Sequence, residues 1–306
     1  MTYPIIEIPD NAPESPEQQG TKTKYWIHLN GDQLLFKIGR ENTGENWAEI
    51  VACQLCELLG LPHAHYDFAI WKHHKGVVSK NVVPLDDKGR VIGRLVMGNE
   101  LLSIIDSNYP VEAKYGVKDH TLGRIHTLLN HPMIKLPIGW TAPSPAINGA
   151  IDVFLGYLLL DAWIANQDRH HENWAVIHLN RQIYLAPTYD HAASMGQNER
   201  DDKRQELLRT RDKTRHISHY VSKARTAIYL DKSANKPMLT IEALQQFAIR
   251  RPEAAQFWLQ RLSDIAPEQC QSIFNNIPKT EISEITIEFS MKLLELNKIR
   301  LLEVTP

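Results

Sequence analysis

Cysteine is scarce in this chain, three in 306 residues. A small odd number excludes a disulfide scaffold and argues for a reducing compartment. Cys53 and Cys56 make one CxxC inside a helical stretch, with no second pair. That reads as helix packing rather than zinc or redox chemistry. An excess of charge of one sign is also missing: the formal net charge is −2. Nucleic acid as the main partner gains no support from such a balance. No apolar run reaches the ~20 residues that a membrane span needs; the longest, around 153–165, is interrupted by Asp161. The first twenty residues lack a basic stretch followed by an apolar core, so no signal peptide is expected. Internal repeats are absent. These absences together predict a cytoplasmic protein without membrane contact.

What remains is ordinary for a globular enzyme, with 43% hydrophobic and 23% charged residues. The length allows one large or two modest domains with a real core. Residues 1–19 hold Pro4, Pro9, Pro13 and Pro16 and read as an extended lead-in. Two β-rich runs, 25–29 and 34–38, flank Asn30-Gly31, a strong hairpin signal. Asn42-Thr43-Gly44 opens a helix over 44–60, with Ala48, Val51, Ala52, Leu55, Leu58 and Leu59 on its apolar face. Further strands are predicted at 67–71, 76–78 and 91–97, with a turn at 86–89. Residues 20–97 therefore read as a mostly antiparallel sheet with one helix. Residues 98–306 read as a largely helical second lobe. It has a Pro- and Gly-rich loop around 132–145 and amphipathic helices at 240–250, 252–263, 267–274 and 283–303.

The stretch with most chemistry is Asn166-Gln167-Asp168-Arg169-His170-His171-Glu172-Asn173, followed at a distance by Asp190. Ile151, Phe154, Leu155, Leu158, Leu159 and Ala162 recur at helical spacing, so a buried helix leads into it. Residues 174–179 and 182–185 read as a hairpin turning at Asn180-Arg181. A hairpin brings its ends together, so Asn173 and Asp190 should flank one opening, with Asp168 just before it. Any one of these residues would pass as a loop or cap residue. As a set, buried unpaired, they would cost about 1–3 kcal/mol each. A metal and a nucleotide would give them partners. An aspartate, an asparagine five residues on and a later aspartate form the polar triad of kinase-type phosphoryl transfer. The first handles the substrate hydroxyl and the other two hold Mg²⁺ against ATP. Two protein oxygens suffice for Mg²⁺, which keeps phosphate and water ligands. Lys37, mid-strand among Leu35, Phe36 and Ile38, either faces solvent or contacts the ATP phosphates. Glu45 and Glu49 on the next helix are both in range to pair with it.

The segment DAWIANQDRHHEN…YLAPTYDHAAS, residues 161–191, resembles the catalytic core of HipA-like kinases, bacterial Ser/Thr protein kinases that include toxins of toxin–antitoxin pairs. The Asp-Arg-His-x-x-Asn order is also similar to that of phosphatidylinositol 3-/4-kinases. It differs from the His-Arg-Asp and Asp-Phe-Gly of common eukaryotic protein kinases. The resemblance runs from about residue 20 to 300. It implies an α+β, bilobal kinase fold, with Asp168 as catalytic base or orienter and Asn173 and Asp190 as Mg²⁺ ligands. Lys37 would contact ATP, and Glu49, at the matching distance from Leu59-Gly60, would fix Lys37. The phosphate loop would fall at Gly20 to Lys24, with Gly20 and Lys22 as contacts, although no G-x-G-x-x-G or G-x-x-x-x-G-K-[ST] stands there. Val96, Met97 and Asn99 would form the hinge facing adenine. Ser194 and Thr210 are candidate phosphorylation sites in an activation-type segment. Ser222 to Tyr229 resembles a family segment whose role does not follow from its residues. Too few residues precede Lys37 for the extra N-terminal subdomain of classical HipA proteins. The implied substrate is a protein, for instance a translation component, and the implied partner an antitoxin. A phosphoinositide-type lipid kinase and a catalytically inactive nucleotide- or antitoxin-binding module are the rival readings.

Overall fold

The structure, a computed structural model, describes residues 2–17 and 23–306. It opens with two strands, β1 (Ile5–Ile8) and β2 (Pro13–Glu17), where the sequence suggests an extended lead-in. Both are built into the first sheet. β1 pairs in parallel with β5 (Tyr66–Trp71), and β2 pairs antiparallel with β3 (Lys24–Leu29). Edge positions tolerate the prolines because their missing N–H groups need no ladder partner there. β4 (Asp32–Ile38) and β6 (His74–Lys80) complete a six-stranded sheet in the order β1-β5-β6-β4-β3-β2. The β3–β4 hairpin turns through Asn30 and Gly31, both with positive φ. That is the twist-matched geometry Asn-Gly supplies.

Alternation along the strands divides the sheet's two faces. Ile27, Leu34, Phe36, Ala69 and Val78 form a small core on one side. Tyr66, Phe68 and Val77 turn to the other side and meet α1 (Glu45–Leu59). This helix ends at Gly60, whose φ of 75° lets its N–H return to Glu57 O and closes the last turn.

The strand expected at 91–97 is shorter, β7 (Arg94–Met97), and leaves the first sheet. It pairs with β9 (Ala175–Leu179), which makes a hairpin with β10 (Gln182–Leu185). Asn180 and Arg181 both take positive φ at that turn. β8 (Ile134–Lys135), from the Pro-rich loop, adds in parallel to β10, giving the order β7-β9-β10-β8. The second sheet thus carries the polar loop at one end and the connection between the lobes along its edge.

The rest is helical: α2 (Gly98–Ile105), α3 (Leu122–Leu129), α4 (Ala150–Trp163), α5 (Asp201–Arg209) and α6 (Ile217–Val221). Then come α7 (Thr240–Ala248), α8 (Pro252–Asp264), α9 (Pro267–Asn275) and α10 (Glu284–Leu302). Every residue of α4 is buried, as expected of a helix apolar on all sides. It forms the axis of the main core, which runs from α1 to α10. Among the described residues no helix is long and apolar enough to cross a membrane.

Candidate active site

The polar loop is anchored by an ion pair placed where the apolar helix should least accept it. Asp161, 1% exposed in the last turn of α4, receives two hydrogen bonds from Arg169, which is 0% exposed. Arg169 Nε lies 2.7 Å from Asp161 Oδ2 and Nη2 lies 2.8 Å from Oδ1. The guanidinium continues to the carbonyl of Asn173 at 2.6 Å and to Thr188 Oγ1 at 3.1 Å. One buried fork therefore joins α4, the loop before β9 and the segment after β10. Asn166 Nδ2 donates to Asp161 Oδ1, and Asn166 Oδ1 accepts the N–H of Asp168. Bidentate geometry of this kind fixes direction as well as distance.

That frame sets the candidate side chains. Asn173 is buried and donates its Nδ2 to the carbonyl of Asp168 at 2.6 Å. Its oxygen is then the side-chain atom left for a cation. Asp190 takes φ of 59°, a strained value for a residue with a side chain. The strain is held from the first lobe: Asp190 N–H donates to Tyr66 Oη at 3.2 Å, and the next N–H, of His191, donates to Glu49 Oε1 at 2.9 Å. His191, buried against Thr188 at 2.8 Å, is pushed well below the usual histidine range, first by burial and then by Arg169.

Asp190, Asn173, Asp168 and Lys37 line one cavity of about 360 Å³, with Lys24 and the apolar Leu35, Ala64, Val83, Leu95 and Met97. Lys37 Nζ lies 3.6 Å from Asp190 Oδ2 and 3.3 Å from Tyr66 Oη; Lys24 Nζ lies 4.0 Å from Asp190 Oδ2. Burial pulls the Lys37 ammonium down, but Asp190 and Glu49 outweigh it and hold its pKa above the ordinary value. The lysine is cationic. Asp168 sits at the rim, its Oδ1 3.7 Å from His170 Nε2. Burial lowers the pKa of His170, so the imidazole is a neutral neighbour rather than an ionic partner.

Some residues singled out in the sequence sit elsewhere. Glu49 is turned to His191 and bears on Lys37 as a neighbouring charge, while Lys37 has its close ion pair with Asp190. Glu45 lines the cavity but is engaged by Arg40 at 3.1 Å. Of the three hinge residues, Met97 faces the cavity. Val96 points the opposite way, into the core, because strand neighbours alternate. Asn99 lies within α2; its N–H goes to His171 O at 3.0 Å and its amide to Val111 O at 3.2 Å. Leu95, two residues before Met97, is a wall residue missed in the sequence, as are Leu35, Ala64 and Val83. Gly20 and Lys22 lie outside the described residues. Ser194 is 2% exposed, whereas Thr210 closes α5 at the surface.

Neither a protein-family model nor a curated protein matches this sequence. Solved structures do match in shape. The Helicobacter pylori proinflammatory kinase CtkA superposes with a TM-score of 0.71 at 18% identity, over 98% of this chain and 96% of that one. HipA of Shewanella oneidensis MR-1, from a toxin–antitoxin complex with HipB and operator DNA, superposes with a TM-score of 0.58 at 15% identity. The fold is that of a HipA-like kinase. The match to HipA covers 95% of this chain and 65% of the Shewanella chain. The HipA-like fold accounts for the mixed α+β layout, with a β-sheet first lobe and a helical remainder.

The donor set in this cavity suits a hard cation. Among the described residues no group of three or more His, Cys, Asp or Glu side chains is placed to hold a metal ion. A cation would draw on the Asn173 amide oxygen and the Asp190 carboxylate, with phosphate and water completing its shell. Mg²⁺ is commonly bound in that way.

Proposed function

We propose that this chain is an ATP- and Mg²⁺-dependent protein kinase that transfers the γ-phosphoryl group to a serine or threonine hydroxyl. The observation that carries the reading is the convergence of Lys37, Asn173, Asp190 and Asp168 on one cavity with an apolar wall. Leu95 and Met97, with Ala64 and Val83, offer adenine an apolar slot. Lys37 and Lys24 supply positive charge for phosphate. Asn173 and Asp190 would hold Mg²⁺, which on binding neutralises charge on the phosphate oxygens. Asp168 orients the acceptor hydroxyl and takes its proton as its oxygen bonds to the γ-phosphorus and ADP departs.

We further propose a cytoplasmic protein, consistent with the three unpaired cysteines, and an antitoxin partner. HipA of Shewanella oneidensis, which shares the fold, was solved with HipB. A toxin that modifies a translation component would fit that arrangement.

The test is titration of the purified chain with ATP, with and without Mg²⁺, followed by incubation with γ-labelled ATP and protein acceptors. Saturable Mg²⁺-dependent binding and label on serine or threonine are expected. Nucleotide binding that ignores Mg²⁺ and survives Asp190→Ala unchanged would refute the site. Label passing to lipid instead of protein would select the phosphoinositide-type alternative.

A further inference from the structure

Asp168 faces two cavities. The first is the one described above. The second, of about 290 Å³, lies beyond Asp168, and Lys114, Tyr115, Asp168 and His170 belong to both walls. Its far wall is supplied by Arg225, Thr226, Ala227 and Tyr229, the segment whose role the sequence leaves open, together with Pro237. That segment is pinned in place: Thr226 N–H donates to Met238 O, and Tyr229 N–H donates to His120 O, each at 3.0 Å.

The chemistry of this wall is one-sided. Among the described residues Asp168 is its only carboxylate, and Lys114 and Arg225 are its cations. Among the described residues neither cation forms an ion pair with a carboxylate; Arg225 donates instead to the carbonyl of Pro237. His120 adds no charge, since burial lowers its pKa to about 3. Thr226 is 2% exposed, and its hydroxyl has no hydrogen-bond partner. A buried hydroxyl without a partner is a standing cost that a bound polar group would relieve. Half-buried cations that meet no carboxylate among the described residues ask for an anionic ligand. The size admits one or two side chains rather than a helix. The chain's formal net charge of −2 supplies no broad field for a nucleic-acid backbone.

Resting on the kinase reading above, we propose that the second cavity is the acceptor site. It would take a serine- or threonine-bearing peptide segment with an acidic side chain beside the hydroxyl, received by Arg225 and Lys114. The geometry places the acceptor across Asp168 from the nucleotide, as in-line transfer requires. The acceptor oxygen forms its bond to the γ-phosphorus as the bond to the β–γ bridging oxygen breaks. ADP leaves with that electron pair, and the hydroxyl proton passes to Asp168 and then to water. Arg225 touches no reacting atom; it sets specificity.

The test uses the full chain, γ-labelled ATP with Mg²⁺, and an array of serine and threonine peptides with acidic, neutral or basic neighbours, with an RNA of mixed sequence alongside. Wild type should favour acidic neighbours by about tenfold in kcat/KM, equal to about 1.4 kcal/mol. Arg225→Glu should reverse that preference. Arg225→Gln, which keeps a donor for the Pro237 carbonyl and guards against misfolding, should abolish it. Mg²⁺–ATP affinity should be unchanged in both. Equal or basic preference in wild type, acidic preference retained in the variants, label on RNA, or no labelled peptide despite Mg²⁺–ATP binding would each overturn the acceptor proposal alone. A wild-type chain that does not bind Mg²⁺–ATP would overturn the kinase reading, and this proposal with it.

Discussion

The Arg169–Asp161 fork makes a prediction that separates stability from function. Both side chains are buried, Arg169 at 0% and Asp161 at 1% exposure. Asp161→Asn would leave the guanidinium without its counter-charge in the core. Breaking one side of a buried pair costs about 3–5 kcal/mol. For a chain of this length that should lower Tm by roughly 5–8 °C. The double variant Asp161→Leu, Arg169→Leu removes both charges together, and apolar replacement of a buried pair is often near neutral in stability. Function should not return with stability. Arg169 also binds the carbonyl of Asn173 and the hydroxyl of Thr188, and leucine offers neither contact. The double variant is therefore expected to melt closer to wild type than Asp161→Asn, yet to bind Mg²⁺–ATP at least about tenfold more weakly, a difference of about 1.4 kcal/mol. Chemical denaturation and calorimetric titration measure the two quantities independently. A single variant within about 1 kcal/mol of wild type, or a double variant with wild-type nucleotide affinity, would refute the reasoning.

Other variants probe separate links. Asp168→Asn should lower kcat by about 10²–10⁴, with Tm and nucleotide affinity near wild type; near-full activity would remove Asp168 from its role. Asp190→Ala should weaken Mg²⁺–ATP binding by tenfold or more, on the order of 1.4 kcal/mol, in the titration that reports on wild type. Stability should depend on pH through His120, whose pKa is lowered to about 3 by burial. Its depressed pKa means that the unfolded chain binds the proton first, so stability is full above pH ~6.5 and falls as pH drops toward the native value. One such group costs about 2 kcal/mol at pH 5. Urea denaturation of His120→Gln should show a flatter slope between pH 7 and 5, and an unchanged slope would count against the assignment. Two glycines should respond in opposite directions. A Cβ at Gly98 would overlap the Trp174 ring and the carbonyl of His171, whereas one at Gly123, in α3, meets nothing within 4 Å. Denaturation should show Gly98→Ala destabilised by about 1–3 kcal/mol and Gly123→Ala stabilised by up to about 1 kcal/mol.

Much of this fold is legible in the sequence because local signals agree with tertiary demand. Asn30-Gly31 and the C-terminal amphipathic helices fall within a residue or two of their expected limits, since turn chemistry and helical period are short-range properties. The partnership of strands is not short-range. Nothing within residues 94–97 says that they pair with β9 rather than with the first sheet, and nothing in a proline-rich lead-in says that Ile5–Ile8 will find β5. Those pairings close loops of tens of residues, and each is decided by which apolar faces the other elements leave uncovered.

The site divides in the same way. Asp168, Asn173 and Asp190 could be placed at one opening because a hairpin brings its ends together whatever surrounds it. Spacing leaves both Glu45 and Glu49 open as partners of Lys37, the family resemblance selects Glu49, and neither can tell a carboxylate that bridges a lysine from one that holds a strained backbone. The structure turns Glu49 to the N–H after Asp190, so α1 bears on Asp190 as much as on Lys37. Its effect on the site would therefore pass through the φ of 59° at Asp190. The signal whose meaning is missed in the sequence is Asp161, an acid in the last turn of a helix whose other acid, Asp152, sits in the first turn. A charge there costs several kcal/mol unless it is met, and the residue that meets it, Arg169, stands next to Asp168. Sequence reasoning that asks of every buried charge where its partner lies would have found the pillar before the pocket.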